Sequence, residues 1–239
     1  MRAFFNTIND FKDHLDSAIF LSIPALIGIL LTFLFSKNFY LAIGSVFLRS
    51  SDILYISFYE LLIALFVVIF SISMFSFTVI GISLLVKEKR THISITSKKF
   101  LNSIKSYMPS VVFFYFVLFI ISFILQFLSL YINLLPLFHI LLFLFFGLMF
   151  FVPFAISIDD YHLLTAIRKS FSLTIKRPFA FVFWFLFNFI VIVVISSFLF
   201  FFLSYEIANY IIYIISSLFI LPFSTILAAH LYMDKYPLS

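Results

Sequence analysis

The sequence predicts an all-α fold, a polytopic membrane helix bundle with six transmembrane helices and three cytoplasmic interfacial amphipathic helices. Three observations lead there. The chain is 64% hydrophobic and 10% charged, with a mean hydropathy of +1.24, whereas a soluble domain is about half apolar and a quarter charged. Its apolar runs are continuous rather than alternating, so helices, not a β-barrel, must satisfy the backbone in lipid. The polar segments between the runs are too short to bury a core of their own, so residues 1–239 form a single integral membrane domain.

Each element follows from its residues. In Met1–Asp16, Phe4, Phe5, Ile8, Phe11 and Leu15 share one helical face, and Asn6, Asn9, Asp10 and Asp13 the other. This reads as an interfacial helix. It lacks a basic n-region with a small-residue cleavage site, so no cleaved signal peptide is expected. Residues 17–35 are the first span. At about 1.5 Å per residue they just cover a ~30 Å hydrocarbon layer, and Pro24 and Gly28 should bend them. Ser36–Asp52, with Lys37, Arg49 and Asp52, is a loop or a surface helix.

Glu60 marks the boundary of the second span, 61–86. Its Ser71, Ser73, Ser76, Thr78 and Ser83 read as close packing against another helix; a polar path is the alternative. Lys87–Ser106 is the most basic segment, setting Lys87, Lys89, Arg90, Lys98, Lys99 and Lys105 against Glu88 alone. Within it Phe100, Leu101, Ile104 and Met108 face one way, and Lys98, Lys99, Asn102 and Lys105 the other. The third span is 107–131, with Pro109 near its start. An uncharged turn leads to the fourth, 137–158, bent at Pro153.

After an acidic turn, Asp160 is placed to N-cap a short basic helix. Leu163, Leu164, Ile167, Phe171 and Ile175 form its apolar face, and Arg168, Lys169, Ser172 and Lys176 its polar one. The fifth span is 179–203 and the sixth, interrupted by Pro222, is 210–230. Six spans place every Lys and Arg except Lys37 and Arg49 on one side. Basic loops stay inside, so both termini are predicted cytoplasmic, in a cell-membrane protein.

Three stretches align without gaps: Phe4-Phe5-Asn6-Thr7-Ile8, Phe100-Leu101-Asn102-Ser103-Ile104 and Leu163-Leu164-Thr165-Ala166-Ile167. Each opens an amphipathic segment followed by two spans. The pattern suggests a threefold internal repeat of one interfacial helix plus one hairpin.

Candidate chemistry is sparse. The absence of Cys excludes disulfides and thiolate ligands. His14, His92, His139, His162 and His230 show no metal-ligand spacing. The chain contains no phosphate-binding loop, no dinucleotide turn and no H-E-x-x-H. Ser170 has no partnered His and reads as an exposed or capping hydroxyl. The 40 Phe against one Trp read as bulk hydrophobicity. No catalytic, cofactor-binding or metal residue is assigned. Basic residues beside spans point to lipid headgroups rather than to nucleic acid. The headgroup contacts expected are Lys98, Lys99, Lys105, Arg168, Lys169, Lys176 and Arg177.

The stretch from the fourth to the fifth span carries a resemblance. Pro153, Asp159, Ala166, Ser170 and Leu173, around Ala-Ile-Arg-Lys-Ser-Phe-Ser-Leu, with Pro222, Thr225 and Leu231-Tyr232 near the end, resemble a diffuse superfamily of six-helix prokaryotic integral membrane proteins. That superfamily includes the membrane domain of glycerophosphodiester phosphodiesterases. Lys176-Arg177-Pro178 stands where the family usually shows Gly or a polar residue. The resemblance implies six spans and no established catalytic residues. The resulting expectation is a non-enzymatic membrane scaffold or lipid-interacting accessory protein whose partners are the bilayer and its anionic headgroups. The alternative is a small-solute or lipid transporter or channel, with a cavity among the spans lined by Ser71–Ser83, Gln126 and Asn188.

Overall fold

A computed structural model describes residues 2–36, 41–42, 45–46, 58–91, 96–132 and 135–234. Lys37, Arg49, Asp52, His92 and Lys235, and with them most of the Ser36–Asp52 connection, lie outside the described residues. The fold is all-α. Among the described residues six helices are long and apolar enough to cross a membrane: Leu15–Leu34, Leu62–Thr91, Ser97–Ser129, Pro136–Asp159, Pro178–Phe202 and Tyr205–Met233. One two-residue antiparallel pair, Leu41–Ala42 with Ser45–Val46, follows the first.

Helix α1 (Arg2–Asp13) runs almost directly into α2 (Leu15–Ser36). The His14 N–H donates to Asp10 O at 3.1 Å and the Ala18 N–H to His14 O at 2.8 Å, carrying the ladder across the junction. The stripe that α1 buries is Ala3, Thr7 and Asp10. Phe5, on the predicted apolar face, is 62% exposed. Small residues let α1 pack closely, while Phe4 reaches sideways to Phe183, Phe187 and Phe223.

Helix α3 (Phe58–Thr91) crosses α2 at Gly28, where a Cβ would lie 3.2 Å from Ser71 Cα. The hydroxyls of α3 are taken up by backbone there. Ser71 Oγ donates to Gly28 O at 2.9 Å and Thr78 Oγ1 to Leu21 O at 2.8 Å. Ser73, Ser76 and Ser83 donate to carbonyls four residues back in their own helix.

The second amphipathic segment is not a separate helix: α4 runs unbroken from Ser97 to Ile132. Pro109 removes one ladder bond, but no Gly, Asn or Asp stands between Ser103 and Val112 to end the helix.

The fourth span divides into α5 (Leu135–Met149) and α6 (Val152–Asp159), and α7 (Leu163–Lys176) returns along the break. Asp160 does not cap α7. It ends α6 in the left-handed conformation, φ 59° and ψ 28°, which a short polar side chain tolerates. The residue before α7 is instead His162, without a side-chain cap bond. Helix α8 (Pro178–Phe202) is the fifth span. The sixth is α9 (Tyr205–Ile215), a π-helical turn at Ser216–Ile220, and α10 (Leu221–Met233). The π turn sits just before Pro222, whose missing N–H already interrupts the ladder.

The apolar core lies at one end of the bundle. It joins Ile80–Val86 of α3, Ile104–Leu118 of α4, all of α6 to Ile158, Ala166 and Leu173 of α7, and Ile226–Met233 of α10. The opposite end leaves large side chains such as Phe66, Phe127 and Phe198 exposed.

Candidate functional site

The charged groups gather over the core, where α1, α3, α10 and the α6–α7 corner meet. Lys89 bridges Asp10 at 2.9 Å and Asp13 at 2.6 Å. Asp10 also takes a 2.9 Å bond from His230 Nε2. A carboxylate can only accept, so Nε2 carries the proton. His230 Nδ1 and Arg90 Nη1 are buried with no hydrogen-bond partner among the described residues. Burial alone would raise the Asp10 pKa, but the bonds from His230 and Lys89 outweigh it and hold the carboxyl below its ordinary value of 3.8. Arg90 lies 3.6 Å from Asp234, and Lys87 3.5 Å from Asp160. Tyr107 donates to Asp160 and Tyr232 to Asp159. The acidic turn is thus taken up by protein donors.

The sequence reading missed this network because its members lie up to 220 positions apart. One signal was present. Asp10 sits three residues from Thr7 and seven from Ala3, on a stripe of small residues that suits close packing.

A second group of polar contacts fixes α7. Where α5 stops, the Leu148 carbonyl and the Phe151 N–H lose their helical partners, and Pro153 has no N–H to offer. Ser170 Oγ donates to Leu148 O at 2.7 Å and accepts from Phe151 N at 3.1 Å. Thr174 Oγ1 donates to Gly147 O at 3.1 Å. Ser170 is therefore not an exposed hydroxyl but a fully buried one, and it caps a neighbouring helix break rather than its own helix.

With α7 held this way, its surface has three faces rather than two. Ala166, Ser170, Leu173 and Thr174 are buried. Leu164, Phe171 and Ile175 of the predicted apolar face are exposed, and Arg168, assigned from sequence to the polar face, stands among them. Of the seven predicted headgroup residues, Lys98, Lys99, Lys105, Arg168, Lys176 and Arg177 are exposed and carry no ion pair with the described residues. Lys169 differs: its ammonium lies 5.7 Å from the centre of the Tyr161 ring.

No family model, curated protein or solved structure matches this chain.

Deeper polar groups are similarly engaged. Asn188 donates to Trp184 O at 2.8 Å and accepts from Ser224, and Trp184 Nε1 donates to Ser224 O at 2.8 Å. These contacts tie α8 to α10. A shallow dent of about 320 Å³ at the other end is lined by Leu31, Leu62, Ile63, Phe66 and Val67, all apolar. Among the described residues no three His, Cys, Asp or Glu gather at metal-binding distance.

Proposed function

We propose that this multi-pass protein is a non-enzymatic membrane scaffold or lipid-interacting accessory protein, with its charged end cytoplasmic and turned toward anionic headgroups. The observation that carries the reading is the division of the basic residues. Lys87, Lys89 and Arg90 are half-buried and paired with carboxylates of the protein, whereas Lys98, Lys99 and Lys105 on α4, Arg168 on α7, and Lys176 and Arg177 at the α7–α8 corner stand exposed. Basic side chains beside spans gain about 1 kcal/mol each near an anionic leaflet. Ser71, Thr78, Asn188 and Ser224 within the spans bond to backbone or to one another, which favours packing over a solute path.

The threefold repeat draws support from exposure in register. Phe4, Phe100 and Leu163 are half-buried, while Phe5, Leu101 and Leu164 are exposed.

The test is lipid enrichment around the purified protein in nanodiscs of graded phosphatidylglycerol content. Enrichment should rise with the anionic fraction; indifference to it would remove the lipid reading. Since the chain has no Cys, Lys98→Cys gives a clean single thiol for topology. Labelling of that thiol from outside intact cells would overturn the orientation.

A further inference from the structure

We infer that Arg168 binds the phosphodiester of an anionic phospholipid whose acyl chain lies along Leu164, Phe171 and Ile175. The inference rests on the lipid reading above and narrows it to one side chain. Leu164 is 73% exposed, Phe171 46% and Ile175 58%, and Phe179 at the start of α8 is 83% exposed. Such a strip on a membrane protein is covered by lipid tails. Arg168 falls four residues after Leu164 and three before Phe171, so it shares their face. A guanidinium there extends along the apolar surface and sets its charged head at headgroup depth. Its planar donor fork matches two phosphate oxygens at once.

Two further observations favour a defined site over diffuse attraction. Ser170 and Thr174 pin the opposite face of α7 to the backbone of the α5–α6 break. The height and rotation of Arg168 are therefore set by protein packing. The charged groups on the following corner, Lys176 and Arg177, are both cationic and exposed, and Asp159 and Asp160 at the far end of α7 accept from Tyr232, Tyr107 and Lys87. The local field thus favours a net-negative headgroup.

The experiment measures phosphatidylglycerol binding to the full chain in detergent by native mass spectrometry, with phosphatidylcholine and soluble glycerol phosphate as comparisons. The wild type should hold one phosphatidylglycerol tightly, and excess glycerol phosphate should not displace it. Arg168→Gln should weaken that binding about tenfold, the scale of one charge-assisted bidentate contact. Arg168→Lys should recover part of it as a point charge. Because Arg168 is exposed, melting temperatures should match, which separates lost binding from misfolding. If Arg168→Gln binds within about twofold of wild type while Lys98→Gln/Lys99→Gln/Lys105→Gln binds less, the site on α7 is overturned and the broader lipid reading stands. If neither variant changes binding, or glycerol phosphate competes fully, the lipid reading falls as well.

Discussion

The two ends of this bundle are built on different principles. At the charged end every residue from Phe151 to Ile158 is buried, and α3, α4, α7 and α10 pack against them. At the other end the described stretches of α4, α5 and α8 leave Phe127, Ile140 and Phe201 open. Around α6 protein packs against protein on every side, whereas at the other end large apolar side chains are left open. Specific polar partners matter where water and low-dielectric core meet, so the charged end should hold most of the sensitivity to mutation. The comparison can be broken by a sensitive residue at the apolar end or an indifferent one at the charged end.

The largest effect is expected from Asp10→Ala. It leaves His230 buried with neither ring nitrogen bonded to a described residue and removes one of the two carboxylates on Lys89. Breaking one side of a buried charged pair costs about 3 kcal/mol, read as a lower unfolding midpoint in detergent. The same group predicts a pH profile. The folded-state pKa of Asp10 lies below its unfolded value of 3.8, so the stability it contributes is present above that pH and is lost as pH falls through the folded value. Wild-type stability should therefore drop more steeply below about pH 4 than that of Asp10→Asn.

Next is Ser170→Ala. The Phe151 N–H and the Leu148 carbonyl would lose their partner in a buried position, at about 1–3 kcal/mol. An unchanged melting temperature would show that water reaches the α5–α6 break, against the dry packing described. A similar scale, about 1–3 kcal/mol, is expected for Gly28→Val, since added bulk must separate α2 from α3 where Gly28 meets the Ser71 backbone. Ser71→Ala at the same crossing removes a bond to Gly28 O and should cost only about 0.6 kcal/mol, because hydroxyls in lipid find other partners when helices separate.

The difference between the ends also explains what could be read from sequence. The spans were legible because hydrophobic length alone determines them. Their boundaries shifted where a helix had no stop signal, as through Lys98–Met108. The amphipathic segments were half legible. On α7 the apolar periodicity is real, and Leu164, Phe171 and Ile175 on that face are exposed. Small and hydroxylated residues, Ala166, Ser170 and Thr174, won the protein side by approaching backbone closely. Asp160 was misplaced because the same short polar side chain that suits an N-cap also tolerates the left-handed turn that ended α6. The Asp10–Lys89–His230 network depends on tertiary contact between distant segments and left no local pattern beyond the small-residue stripe of α1.

The smallest effect belongs to the apolar end. Phe198, 63% exposed on α8, should tolerate Phe198→Leu with a change within about 0.5 kcal/mol. The hydrophobic effect that makes a buried Phe valuable in water has little to act on here. The side chain meets lipid tails in the folded bundle and again when the helices separate within the bilayer. A loss of 2 kcal/mol or more, measured by the same unfolding assay in nanodiscs, would mean that Phe198 is packed against protein in the membrane. That protein would be a stretch of this chain outside the described residues, a second copy or another chain, and the apolar end would then be a packing surface like the charged one.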